Sequence, residues 1–207
     1  MVDQMLFEVE RLNKTTEAVE SRGIEVILAE TKEAALAQIQ AWIPAGAGVM
    51  TGASLTLQQI GFDALLNAQG NGWKNLKAEI LAENDADKRL ALRKKATQAD
   101  YFLGSVHAIA ETGEILIASM TGSQLAPYAY TSKNIIWVAG AQKIVPTLAD
   151  AFRRVREYSL PAEDRNMRQK TENKSGSFIG KILVFEREAP YLNRKVRLIL
   201  VNEILGV

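Results

Sequence analysis

The 207-residue sequence contains no cysteine and only one histidine, His107. The lack of cysteine excludes disulfides, thiolate catalysis and an iron–sulfur cluster held by the chain's own residues. With one histidine and no thiolate, a zinc site is not expected either, so no metal ligands are assigned. Charge of one sign is also missing: 25 Lys and Arg face 24 Asp and Glu, a net charge of +1. Such a balance gives no global field to draw nucleic acid or an anionic membrane surface, and neither is expected as a partner. No apolar run approaches the roughly 20 residues that cross a bilayer. Met1–Glu10 lacks the basic-then-apolar pattern of a signal peptide, which makes a cytoplasmic location the expectation. Internal repeats and low-complexity linkers are missing too. The chain is therefore expected to form one domain over 1–207, with residues 1–22 as a peripheral N-terminal helix.

Composition is that of an ordinary globular protein, 47% hydrophobic and 24% charged, and long enough for one sizeable core. Leu6, Val9 and Leu12 recur at helical spacing. Ile24–Leu28 reads as a strand, and Thr31 caps a helix that Pro44 closes. A short strand and small-residue loop occupy 46–54, followed by a helix with Leu57, Ile60 and Leu65 on one side. Residues 73–98 read as a charged helix. Tyr101–Ala110 and Glu114–Met120 read as strands joined by a tight turn at Glu111-Thr-Gly-Glu114. A short helix is expected over 124–130, a buried strand over 134–139, a helix from Pro146, and strands over 181–185 and 196–201. This alternation predicts a layered α/β fold with a largely parallel sheet.

Two loops carry small residues where a strand gives way to a helix, Thr51-Gly-Ala-Ser-Leu-Thr56 and Thr121-Gly-Ser123. Glycine lets a ligand approach the backbone, hydroxyls add donors, and a helix start favours an anion. From the residues alone, Ser54 is better read as an ordinary helix cap. Lys143 follows a buried strand, from which a lysine reaches into a strand-end cleft. Ser105 and His107, two apart on a strand, share a face and could set a base beside a polar partner. Glu111 and Glu114 flank the turn and read mainly as solvated. The chain has no Gly-x-Ser-x-Gly elbow. Gly46–Gly52 misses the dinucleotide fingerprint by one position. Gly176-Ser-Phe-Ile-Gly-Lys181 is one residue short of a phosphate loop. Basic runs at 88–95 and 153–156 read as solvated helix faces.

Gly52-Ala-Ser-Leu-Thr-Leu-Gln-Gln-Ile-Gly61, Ala99–Glu114, Thr121-Gly-Ser-Gln124, Val138–Val145 and the closing Val201-Asn-Glu-Ile-Leu-Gly206 occur in that order. In this the chain resembles the LUD (lactate-utilisation) domain family, to which the LutC/YkgG proteins belong. The resemblance implies a layered sheet with helices on both faces, like the NagB, ribose-5-phosphate isomerase and CoA-transferase folds. It implies that Gly52, Ser54, Thr56, Gly122 and Ser123 line a cleft for a small anionic ligand, with Lys143 near it. Longer relatives carry a C-terminal cysteine cluster that this chain lacks. The acidic and glycine-rich lysine motifs of the isomerases are not reproduced, and Glu111 is the nearest counterpart of the CoA-transferase glutamate. The resemblance thus implies an accessory or ligand-binding component of lactate or organic-acid utilisation, beside iron–sulfur redox subunits. The alternative is a stand-alone enzyme acting on a phosphorylated sugar, a folate-like substrate or an acyl-CoA, with Glu111 or His107 handling a proton. An interaction module built on the N-terminal helix is a third reading, and a homo-oligomer stays open.

Overall fold

The computed structural model describes residues 9–170 and 176–207. The expected helical position Leu6 lies outside the described residues. In chain order the elements are α1 (Val9–Glu20), β1 (Glu25–Ala29), α2 (Lys32–Trp42), β2 (Gly48–Thr51), α3 (Leu55–Gln59), α4 (Phe62–Asn67) and β3 (Lys74–Asn75). Next come α5 (Leu76–Ala82), α6 (Ala86–Lys95), β4 (Tyr101–Gly104), β5 (Ala108–Ala110), β6 (Ile115–Ser119) and β7 (Asn134–Gly140). The chain continues with β8 (Ile144–Val145), α7 (Leu148–Arg154), α8 (Leu160–Lys170), β9 (Lys181–Phe185) and β10 (Lys195–Val201).

Six strands form a sheet in the order β1-β10-β7-β4-β2-β3, with every pair parallel. Parallel strands covered on both faces read as unbroken apolar runs, and β7 and β10 do so. Their side chains alternate between two cores. Ile135, Trp137, Ala139, Val196, Leu198 and Leu200 point into one, while Ile136, Val138, Ile199 and Val201 point into the other. The second core is closed by Ala35 and Ile39 of α2, Leu57 of α3, and Phe62 and Leu66 of α4. The first is closed by Leu12 and Val19 of α1 together with a second sheet.

That second sheet has the order β8-β5-β6-β9, antiparallel except for β5 and β8. Its outer face meets Ala151 and Val155. Phe102, Tyr128, Trp137 and Phe185 stack edge to face, with centroids 5.1–5.4 Å apart, and join the two sheets. Such pairs add about 0.5–1.5 kcal/mol each beyond area burial. The fold is a layered α/β fold with helices on both faces of a parallel sheet, as expected, and with a four-stranded sheet as an additional layer on one face.

Three local expectations change. The strand expected over 101–110 is two strands, because the chain leaves the parallel sheet after Gly104 and joins the second sheet at Ala108. Its connector is held by Ser105 and Lys143 rather than by a ladder: Ser105 Oγ donates to Val138 O at 2.6 Å and Lys143 Nζ to Val106 O at 3.1 Å. The charged helix expected over 73–98 breaks into α5 and α6, each with its own cap. Asn75 accepts from Ala78 N, and Asp85 accepts from the N–H groups of Asp87 and Lys88. The helix expected from Pro146 starts at Leu148, where Thr147 accepts from Asp150 N. It runs through a wide π turn at Val155–Ser159 into α8. Pro161 lacks an N–H and its ring crowds the preceding turn, which accounts for the widening.

Candidate functional site

The carboxyl ends of β2, β4, β7 and β10 lie side by side, and the residues that follow them meet at Lys143. This lysine is 2% exposed. Its Nζ donates to Thr56 Oγ1 at 3.2 Å, Ser105 Oγ at 3.0 Å and Val106 O at 3.1 Å. Thr56 Oγ1 donates in turn to Ser105 Oγ at 3.2 Å. One amine thus ties the first turn of α3 and the β4–β5 connector to the segment after β7. The C-terminal segment closes the knot from above. Gln142 Nε2 donates to Leu205 O and Gly206 N donates to Gln59 Oε1. Gly206 has φ +70°, and a Cβ on it would lie 2.3 Å from Thr56 Oγ1 and 3.0 Å from Lys143 Nζ, so only glycine fits there.

No carboxylate pairs with this amine among the described residues. Burial, and then the nearby Arg154 guanidinium, push the Lys143 pKa down to about 7. Its three oxygen acceptors work in the opposite direction. Arg154 itself donates to His107 O and Ser159 Oγ, both at 2.8 Å, and lies over the Tyr158 ring. His107 Nδ1 accepts from Ala118 N at 3.2 Å. Burial, then Lys143 and Arg154, push its pKa down to about 3, so the ring stays neutral at physiological pH.

The two small-residue loops are neighbours. A Cβ on Gly52 would lie 2.7 Å from Gln124 Oε1, and Gln124 Nε2 donates to Ala118 O. Lysines that the sequence reading did not single out flank both loops. Lys77 Nζ donates to Thr51 Oγ1 at 3.2 Å. The Lys181 stem covers Gly122, where a Cβ would meet Cδ at 2.6 Å. Neither lysine forms an ion pair among the described residues. Lys77 sits one position into α5, which was expected to belong to one long charged helix. Lys181 begins a strand of the second sheet, so its place depended on long-range pairing.

Individual residues separate into groups. Thr56 and Lys143 are in direct contact, whereas Ser54 Oγ caps α3 by accepting from Leu57 N. That helix spans five residues before Gly61 breaks it, so it adds little dipole. Ser123 is exposed, and its hydroxyl lies 3.0 Å from Thr121 Oγ1. Glu111 pairs with Arg11 at 2.8 Å and Lys14 at 3.8 Å, which ties the turn to α1. Ser105 and His107 lie on the connector rather than on one strand, and they face different partners. Two cavities of about 300 Å³ lie elsewhere, one at Pro146, Arg154 and Tyr158 and one at Gly48, Lys74 and Asp100. Among the described residues no group of three or more His, Asp or Glu side chains could hold a metal ion, and no helix is long and apolar enough to cross a membrane.

The fold and the strand-end loops define a layered α/β protein whose polar residues gather at the carboxyl edge of a parallel sheet. The LUD-domain model matches residues 12–180, and the chain belongs to the LUD-domain family. The chain is also similar to the crystal structure of a DUF162 family protein from Deinococcus radiodurans, with 15% identity and a TM-score of 0.51. That match covers 93% of this chain and 95% of the other, and it supports the same fold. A search of curated proteins found no match.

Proposed function

We propose that this LUD-domain protein is an accessory, ligand-binding component of lactate or related organic-acid utilisation. It holds a small organic-acid anion between the 51–54 and 121–124 loops and works beside iron–sulfur redox subunits rather than carrying the redox centre. The observation that carries this reading is the contact of Gly52 with Gln124, flanked by Lys77 at Thr51 and Lys181 at Gly122. A carboxylate beside these loops meets lysines that form no ion pair among the described residues.

Calorimetric titration of the purified chain with L-lactate, pyruvate and inorganic phosphate tests it. Binding of one of these anions is expected to weaken about tenfold in Lys77→Ala or Lys181→Ala, about 1.4 kcal/mol each. Oxidation of lactate by the chain alone would overturn the accessory role. The alternative, an enzyme for a phosphorylated sugar, folate-like substrate or acyl-CoA, assigns the anion to Ser54, Ser123 and Lys143 and the proton to Glu111 or His107. It has less support, since Ser54 is spent on a cap, Glu111 on two ion pairs, and His107 is held neutral.

A further inference from the structure

We propose that Ser105 is an acyl-accepting nucleophile with Lys143 as its general base, and that the pair takes carboxylic esters or thioesters. Three acceptors surround Nζ. As an ammonium, Lys143 donates one proton each to Thr56 Oγ1, Ser105 Oγ and Val106 O. When one proton leaves, two N–H donors remain. Val106 O can only accept, and Thr56 already donates its hydroxyl proton to Ser105. The lone pair is therefore turned to Ser105 Oγ, 3.0 Å away. Ser105 now donates to Val138 O, and rotation about its Cβ–Oγ bond aims that proton at Nζ instead.

Exposure suits this division of labour. The base is sealed under Gly206, while Ser105 is partly exposed on the connector between the two sheets. The one charged neighbour among the described residues that shifts Lys143 is Arg154 of α7, and the titratable His107 on the connector is neutral. Burial and Arg154 favour the free amine, so a substantial share of it is a base at neutral pH. In the step, Oγ bonds to the acyl carbon as its proton passes to Nζ. The bond from carbon to the alkoxide or thiolate then breaks, and the leaving group takes the proton from Nζ. Water hydrolyses the acyl-serine by the same route, so no oxidant or reductant is required. Thr56 is a positioning residue, because it touches the base and the nucleophile and not the acyl group.

Labelling of the full chain with an alkyl fluorophosphonate, read by intact mass and peptide mapping, tests the proposal. The expected result is one adduct, on Ser105, forming about tenfold faster at high than at low pH with a midpoint near the Lys143 value. Lys143→Met should slow labelling at least about tenfold. If that variant does not fold, the pH profile of the wild type stands as the test. Thr56→Val removes an acceptor from the ammonium and should move the midpoint down, and Thr56→Ser should restore it. No adduct on Ser105 in the folded chain, or a pH-independent rate, overturns the proposal. Because the probe carries no carboxylate, failure here leaves lactate and pyruvate binding at the 51–54 and 121–124 loops untouched, and the reverse holds too.

Discussion

Lys143 and His107 hold protonation states that depend on folding, and both give stability a slope in pH. Burial and Arg154 hold the Lys143 pKa at about 7, whereas the unfolded chain returns the amine to about 10.4. Between these values the unfolded chain binds a proton that the folded chain lacks, so stability rises with pH across that window. Below about pH 7 the cost of burying the ammonium is fully present. Wild type should gain about 1.4 kcal/mol per pH unit relative to Lys143→Met between pH 7 and 9, as read by urea unfolding. A difference that stays flat over that range refutes the assignment. His107 has its pKa depressed to about 3, so stability is lost progressively as pH falls below about 6.5. As the sole histidine, its NMR signals need no assignment. They should hold their neutral shifts down to about pH 4.5, and a midpoint near 6.5 would contradict the burial described.

At the scale of elements, α1 and the turn that follows it meet the hairpin of β5 and β6. Arg22 Nη2 lies 2.6 Å from Glu114 Oε1, while Nε donates to Thr112 O and Nη1 to Glu186 O. Gly113 has φ +97°, and a Cβ there would sit 2.5 Å from Ala18 O. Gly113→Ala forces both an unfavourable backbone and a clash with α1, and should destabilise by about 2–4 kcal/mol. Thermal unfolding and proteolysis at α1 report it, and a change under about 0.5 kcal/mol would show that α1 does not rest on the turn. This hairpin was legible in the sequence because its turn chemistry is local. The break between β4 and β5 was not, since both halves are equally apolar. What separates them is a pair of tertiary hydrogen bonds, from Ser105 and Lys143, to backbone oxygens. The caps of α5 and α6 stood in plain view as Asn75 and Asp85, but charge runs masked them.

Across the whole molecule, the candidate site joins the two sheets, and this limits what sequence could reveal. Gly52 and Gly122 were visible as strand-end glycines, yet the meeting of Gly52 with Gln124 depends on β6 of the second sheet delivering 121–124 to the end of β2. Lys181 was noticed only in a segment one residue short of a phosphate loop, because its place beside Gly122 depends on the pairing of Lys181 with Ser119. The same geometry makes a global prediction. An anion held by both loops bridges the parallel sheet and the second sheet, so its binding should protect both. Ligand at about 100 times its dissociation constant adds about 2.7 kcal/mol to unfolding. Hydrogen exchange with saturating pyruvate should then slow amides in 49–54 and in 115–124 together, and the thermal transition should move up as one step. At the same pyruvate concentration Lys181→Ala, with binding about tenfold weaker, should cut the stabilisation to about 1.4 kcal/mol and lower protection in both segments alike, although Lys181 belongs to one sheet, because a bridging ligand is lost as a unit. Protection confined to one segment would place the anion on a single loop and remove the link between the sheets.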